Sequence, residues 1–317
     1  MTTFDELTAG LRIPVVGAPM FIVSGPELVI AQCKAGIIGS FPALNARPPE
    51  LLDQWLTRIR EELAAHDAAH PDQPSAPFAV NQIVHRSNDR LQQDLELCVK
   101  HQVPIIITSL GARPEVNDAV HSYGGIVLHD VINNTFAHKA VDKGADGIIA
   151  VAAGAGGHAS TLSPFALIQE IRQWFDGPLL LSGCITHGGA VLAAQAIGAD
   201  LAYIGTRFIA THEANAQPDY KQMLVDSTAD DIVYSSYFTG VNGNYLRGSI
   251  KNSGMDPDQL PEGDISSMSF GSEKPKAWKT IWGAGQGVGG IHDVPSAGDV
   301  VARLSEEYRS AQARLTG

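Results

Sequence analysis

Eight short, nearly continuous apolar runs, at 14–18, 37–42, 78–83, 104–109, 126–130, 147–152, 178–182 and 201–205, constrain this chain more than any other feature. Parallel strands buried on both faces read in this way, whereas half-exposed strands alternate. Between the runs lie segments with apolar residues at helical spacing. The clearest is 49–66, which begins within Pro48-Pro49-Glu50 and carries Leu52, Trp55, Leu56, Ile59 and Leu63 on one face. Gly36, Gly124, Gly144 and Gly198 follow helical segments where helix C-caps commonly place glycine. Strand then helix, repeated eight times, predicts a closed (β/α)8 TIM barrel, with an open doubly wound sheet as the alternative.

The rhythm stops after Thr211. The expected organisation is a barrel from 1–211 plus a C-terminal helix in 296–317, with 212–295 forming a smaller lid or substrate-covering subdomain. Within that insert, 218–226 reads as a helix, and the Gly/Pro/Ser-rich stretch 253–276 reads as a surface excursion.

Charge and cysteine content narrow the class. Twenty-two Lys and Arg against 34 Asp and Glu leave −12, which phosphates of a nucleic acid would repel. No apolar stretch is long enough for a membrane span, and the N-terminal residues lack a signal-peptide pattern, so a cytoplasmic location is expected. Cys33, Cys98 and Cys184 are odd in number and far apart, which argues against a disulfide framework or structural zinc. Cys33 and Cys98 read as helix-packing residues.

In such a barrel the chemistry sits where the strands end at their C-termini. Those ends carry Gly17-Ala18-Pro19-Met20, Asn81-Gln82, Thr108-Ser109, His129-Asp130, Gly154-Ala155-Gly156-Gly157-His158, Ser182-Gly183-Cys184 and Gly205-Thr206-Arg207. Small residues after the seventh and eighth runs suit a phosphate held by backbone N–H groups, with Arg207 as the one nearby cation. The bland alternative is a pair of tight turns. His158, laid down by a glycine-rich turn, is the leading catalytic candidate, since imidazole exchanges protons near neutral pH. His129 is a weaker candidate, and His187 and His212 weaker still. His66, His70, His101, His121 and His138 are expected to be solvated. Two glycine runs mimic dinucleotide fingerprints, at 154–159 and 285–290. The first lacks an acid at the tip of the next strand, and the second lacks a leading strand, so neither is read as one. No metal-ligand spacing, nucleophile elbow or Walker loop is present. A flat phosphorylated cofactor plus one histidine fits best, and flavin mononucleotide (FMN) is such a cofactor.

Together these motifs resemble the nitronate monooxygenase family, once called 2-nitropropane dioxygenases. The matching pieces are Gly17-Ala18-Pro19-Met20, Asn81, Gly156-Gly157-His158-Ala159, Ser182-Gly183 and Gly205-Thr206-Arg207-Phe208, spanning 14 to about 214. The resemblance implies non-covalent FMN, with Ala18, Pro19, Met20 and Asn81 along the isoalloxazine and Gly157 beside it. It also implies that Ser182, Gly183, Cys184, Gly205 and Thr206 hold the phosphate and that His158 is catalytic. The implied reaction turns an alkyl nitronate and O2 into a carbonyl compound and nitrite. Two positions depart from the pattern. Relatives often read Ser-Gly-Gly where this chain has Cys184, and some carry Lys where it has Asp130, an acid able to accept from the flavin N3–H. The segment 282–287 looks family-like and is expected only as a wall of the site.

Three alternatives remain. One is an FMN-dependent NAD(P)H reductase of a quinone or enoyl thioester. Another is a barrel that binds a ligand without turnover. The third is a phosphate-binding lyase or isomerase without flavin. A homodimer is the default assembly expected of such a chain.

Overall fold

The computed structural model describes residues 3–263 and 280–317. The expected excursion at 253–276 therefore lies partly outside the described residues. All eight apolar runs are strands: β1 (Val15–Gly17), β2 (Gly39–Pro42), β3 (Phe78–Ile83), β4 (Ile105–Ser109), β5 (Ile126–Val131), β6 (Gly147–Val151), β8 (Leu179–Ser182) and β9 (Leu201–Ile204). They form one parallel sheet in the order β1-β9-β8-β6-β5-β4-β3-β2. A parallel bridge between Val16 and Ile38 joins β1 to β2 and closes the barrel.

Alternation along the strands divides the side chains into two layers. Val16, Ile38, Ala79, Ile105, Ile107, Leu128, Ile149, Leu180, Leu201 and Tyr203 fill the barrel interior. The opposite set, including Val80, Ile106 and Val127, packs against the helices. Helix Leu51–Ala69 buries Leu52, Leu56, Ile59 and Leu63 in that outer layer, each contributing roughly 1.5–3 kcal/mol on full burial. Cys33 and Cys98 are fully buried here. Gly36, Gly124, Gly144 and Gly198 all take positive φ, between 84° and 113°, at their helix ends. The C-terminal helix Ala297–Thr316 packs on helix Gly188–Ala196. No described helix is long and apolar enough to cross a membrane.

The insert contains the expected helix Pro218–Asp226 and a small sheet that was not expected. Its strands β10 (Ile232–Ser235) and β11 (Gly243–Leu246) are antiparallel, and β11 pairs with β7, the dipeptide Gly157–His158. The insert is thereby stitched directly onto the loop that follows β6.

Candidate active site

Strand alternation carries the interior set upward to the barrel mouth. One step beyond Ala79, Ile107, Leu128 and Leu180 come Asn81, Ser109, Asp130 and Ser182, all facing inward by parity. On the β3–β5 side this top layer is a directed hydrogen-bond chain. Asn81 Nδ2 donates to Ser109 Oγ at 2.8 Å, and that hydroxyl donates to Asp130 Oδ2 at 2.5 Å. Asp130 is thus the terminal acceptor. Burial pushes its carboxyl up to about 6, against the lowering effect of the Ser109 hydrogen bond. Beneath it, burial and the charge of Asp130 raise the Tyr203 phenol well above its ordinary value. Ser109 was expected only as part of a strand end and Tyr203 not at all, although strand parity alone would have found both.

His129 has the opposite parity. It is 5% exposed, faces the helical layer and meets Thr108 Oγ1 through Nδ1 at 2.6 Å. Burial lowers its imidazole to about 4. The candidacy of His129 therefore fails on direction, although it lies at a strand end. His187 is a helix cap, accepting from Gly189 N–H at 2.9 Å through Nδ1. His101 departs from the solvated reading: it is 8% exposed, with Nε2 2.6 Å from Asp53 Oδ1.

The other side of the mouth is built from glycines. A Cβ on Gly205 would lie 3.5 Å from Met20 Sδ and 3.6 Å from Ala18 Cβ, so the loop after β1 covers the end of β9. Ser24 Oγ accepts from Met20 N–H at 3.0 Å and Asn45 Nδ2 donates to Met20 O at 2.9 Å, which hold Met20 and the adjacent Pro19 in place. A Cβ on Gly154 would come within 2.1 Å of the Cys184 sulfur, and one on Gly156 within 2.8 Å of Gly285 N. Gly183 takes φ +144° and Cys184 φ +58°, the latter a conformation that costs a residue with a side chain. A short helix, Thr206–Ile209, begins just past Gly205; the first N–H groups of a helix have no acceptor within it.

The 282–287 segment joins this cluster. Gly285 N–H donates to Thr206 Oγ1 at 2.9 Å, and Gln286 N–H donates to Gly154 O at 2.9 Å. Arg207 does not serve as the nearby cation. It is 3% exposed and bonded to Asp293 Oδ1 at 3.0 Å, so its charge is neutralised away from the turn. Any anion held there would rest on backbone dipoles.

His158 lies on β7, in the glycine-rich loop after β6. The residue is partly buried, and Nε2 is 3.0 Å from Thr239 Oγ1 of the insert. Crowding by the surrounding protein pushes the imidazole down to about 4, so it is neutral at neutral pH. Thr239 and Asn244, whose Nδ2 donates to Ala155 O at 2.7 Å, were not legible in the sequence. Each lies more than 80 residues from the loop it supports, with no local signal.

Fold and likeness to known proteins define the class first: an oxidoreductase built on a (β/α)8 barrel. Nitroalkane oxidase from Streptomyces ansochromogenes superposes with a TM-score of 0.81 at 25% identity, covering 98% of this chain and 99% of that one. FabK from Thermotoga maritima shares the fold, with a TM-score of 0.78 at 21% identity, covering 99% of this chain and 97% of that one. The nitronate monooxygenase family profile matches residues 5–307, and the chain belongs to that family. It is 27% identical to a nitronate monooxygenase of Paraburkholderia phytofirmans, covering 96% of this chain and 95% of that protein. It is 25% identical to one from Neurospora crassa, covering 93% and 89%.

Proposed function

We propose that this protein is an FMN-dependent nitronate monooxygenase that converts an alkyl nitronate and O2 to a carbonyl compound and nitrite. The observation that carries the reading is the position of His158. A neutral imidazole stands on the glycine-rich loop that follows β6, 3.0 Å from Thr239 Oγ1.

The residues suit FMN by their chemistry. Asp130 offers an acceptor for a ring N–H, and Asn81 and Ser109 hold it in place. Ala18, Pro19 and Met20 supply an apolar wall for a flat ring, with Gly157 beside it. Ser182, Gly183, Cys184, Gly205 and Thr206 offer backbone donors and hydroxyls to a phosphate, with no lysine needed. FMN, when bound, would supply the electron-accepting chemistry that amino-acid side chains lack.

His158 would work in one of two ways. With a neutral nitroalkane, a carbon–hydrogen bond breaks, the proton moves to a ring nitrogen and the electron pair enters the nitro group as nitronate. With a preformed nitronate, the bound anion raises the imidazole pKa and favours a stabilising imidazolium. The insert 212–295 would act as the cover that limits substrate size and excludes water.

An anaerobic titration tests the reading. Purified protein should show a flavin spectrum that NADH and NADPH leave unchanged and that a short alkyl nitronate bleaches, with nitrite appearing once air is admitted. Bleaching by NAD(P)H would move the assignment to a reductase. Absence of a flavin spectrum after adding FMN would overturn the cofactor assignment.

A further inference from the structure

We infer that Asn45 is a positioning residue: its amide clamps the loop after β1 in a strained shape and so fixes where Met20 stands at the barrel mouth. The inference rests on the reading of Met20 as part of the wall for the cofactor ring and adds what holds that wall.

The strain is local. Ile22 takes φ +67°, a left-handed conformation that a β-branched residue rarely adopts. Such a residue persists only where its surroundings over-determine it. Asn45, at the end of the short 3-10 helix Ala43–Asn45 that follows β2, supplies that constraint. Its Nδ2 donates to Met20 O at 2.9 Å and to Ser24 O at 2.8 Å. Both partners are carbonyl oxygens, which can only accept, so the amide sits one way round. Oδ1 is then the atom that accepts from Ile22 N–H at 2.9 Å. Three hydrogen bonds from one side chain therefore straddle the strained residue.

A second clamp comes from the start of the insert. Asn215 Nδ2 donates to Ile22 O at 3.0 Å, and Asn215 N–H donates to Val23 O at 2.9 Å. The Ile22 backbone is thus held at its N–H by Asn45 and at its carbonyl by Asn215. Packing alone leaves the loop room to move, since a cleft of about 510 Å³ beside it is lined by Phe21, Ile22, Asn45, Trp55 and Asn215. Without the clamp, Ile22 would relax toward negative φ, and Met20, two residues before it, would move with the loop.

The test follows the Met20 methyl group by carbon-13 NMR of methionine-methyl-labelled protein, with and without FMN, assigned by difference from Met20→Leu. FMN affinity is read by fluorescence titration of the apoprotein. Asn45→Ala should shift or broaden the Met20 signal, leave the other methionine signals in place and weaken FMN binding about 10-fold. Glycine adopts φ +67° without strain. Ile22→Gly should therefore keep the wild-type Met20 signal, and in the Asn45→Ala background it should bring FMN affinity back to within about 3-fold of wild type. An unmoved Met20 signal in Asn45→Ala, or a loss of FMN affinity that residue 22 does not alter, would overturn the inference. If Asn45→Ala alone does not fold, the inference requires that the double variant with Ile22→Gly does, and failure of both overturns it. Failure of the underlying reading looks different: wild-type protein would bind no FMN, or bind it without moving the Met20 signal, while Asn45→Ala still shifted that signal.

Discussion

The two sides of the barrel mouth solve the same problem by opposite means. From β3 to β5 the site is made of side chains, Asn81, Ser109 and Asp130, joined by hydrogen bonds of 2.8 and 2.5 Å. Around β6 and β8 it is made of backbone, with Gly154, Gly156 and Gly183 removing side chains so that loops can close on one another. A side-chain network can be retuned one residue at a time. A backbone cradle tolerates little change, because added atoms meet fixed neighbours. Cys184, at φ +58°, sets a side chain at a left-handed position of this cradle.

Mutations can break or sharpen this contrast. The largest effect is expected at His158: His158→Ala should keep FMN bound and slow turnover roughly 100-fold or more, read from steady-state rates and the visible spectrum. Next comes the cradle. Gly183→Val forces a β-branched residue into φ +144° with its Cβ 2.9 Å from Ala153 O. It should weaken FMN binding at least about 10-fold through about 1–3 kcal/mol of strain, measured by fluorescence titration of the apoprotein. Equal affinity would show that the cradle does not hold the cofactor.

The polar side should respond through pH. Burial holds folded Asp130 up at about 6, above about 3.9 in the unfolded chain. The native state therefore keeps its proton longer, and this group's contribution is lost as pH rises from about 4 through 6. Asp130→Asn retains an acceptor for Ser109 and removes that loss. Its stability advantage over wild type should grow from near zero at about pH 4 to about 3 kcal/mol above about pH 7, by chemical denaturation across that range. The smallest effect is expected at Cys184→Gly, which relieves the left-handed strain and should stabilise the fold by about 1 kcal/mol, read as a small rise in melting temperature.

Much of this was legible along the chain. Parallel strands buried on both faces leave an apolar run that needs no partner to be recognised, so 78–83 matches β3 (Phe78–Ile83) residue for residue. Their order made the strand ends, and hence Asn81, Asp130, His158 and the glycine turns, candidates before any coordinates. Direction was harder to read. His129 and Asp130 are adjacent at the end of one strand, yet only Asp130 faces the mouth, because successive side chains point to opposite faces. Arg207 had the right place in the sequence, and Asp293, 86 residues on, claims its charge.

By itself, then, the sequence determined the barrel, the end of it that carries the chemistry and the glycines that shape one wall, because each is written in local pattern. Only the tertiary structure decided which hydroxyl meets His158. Thr239 lies 81 residues away, and a two-residue strand, too short to leave a pattern of its own, brings the two together.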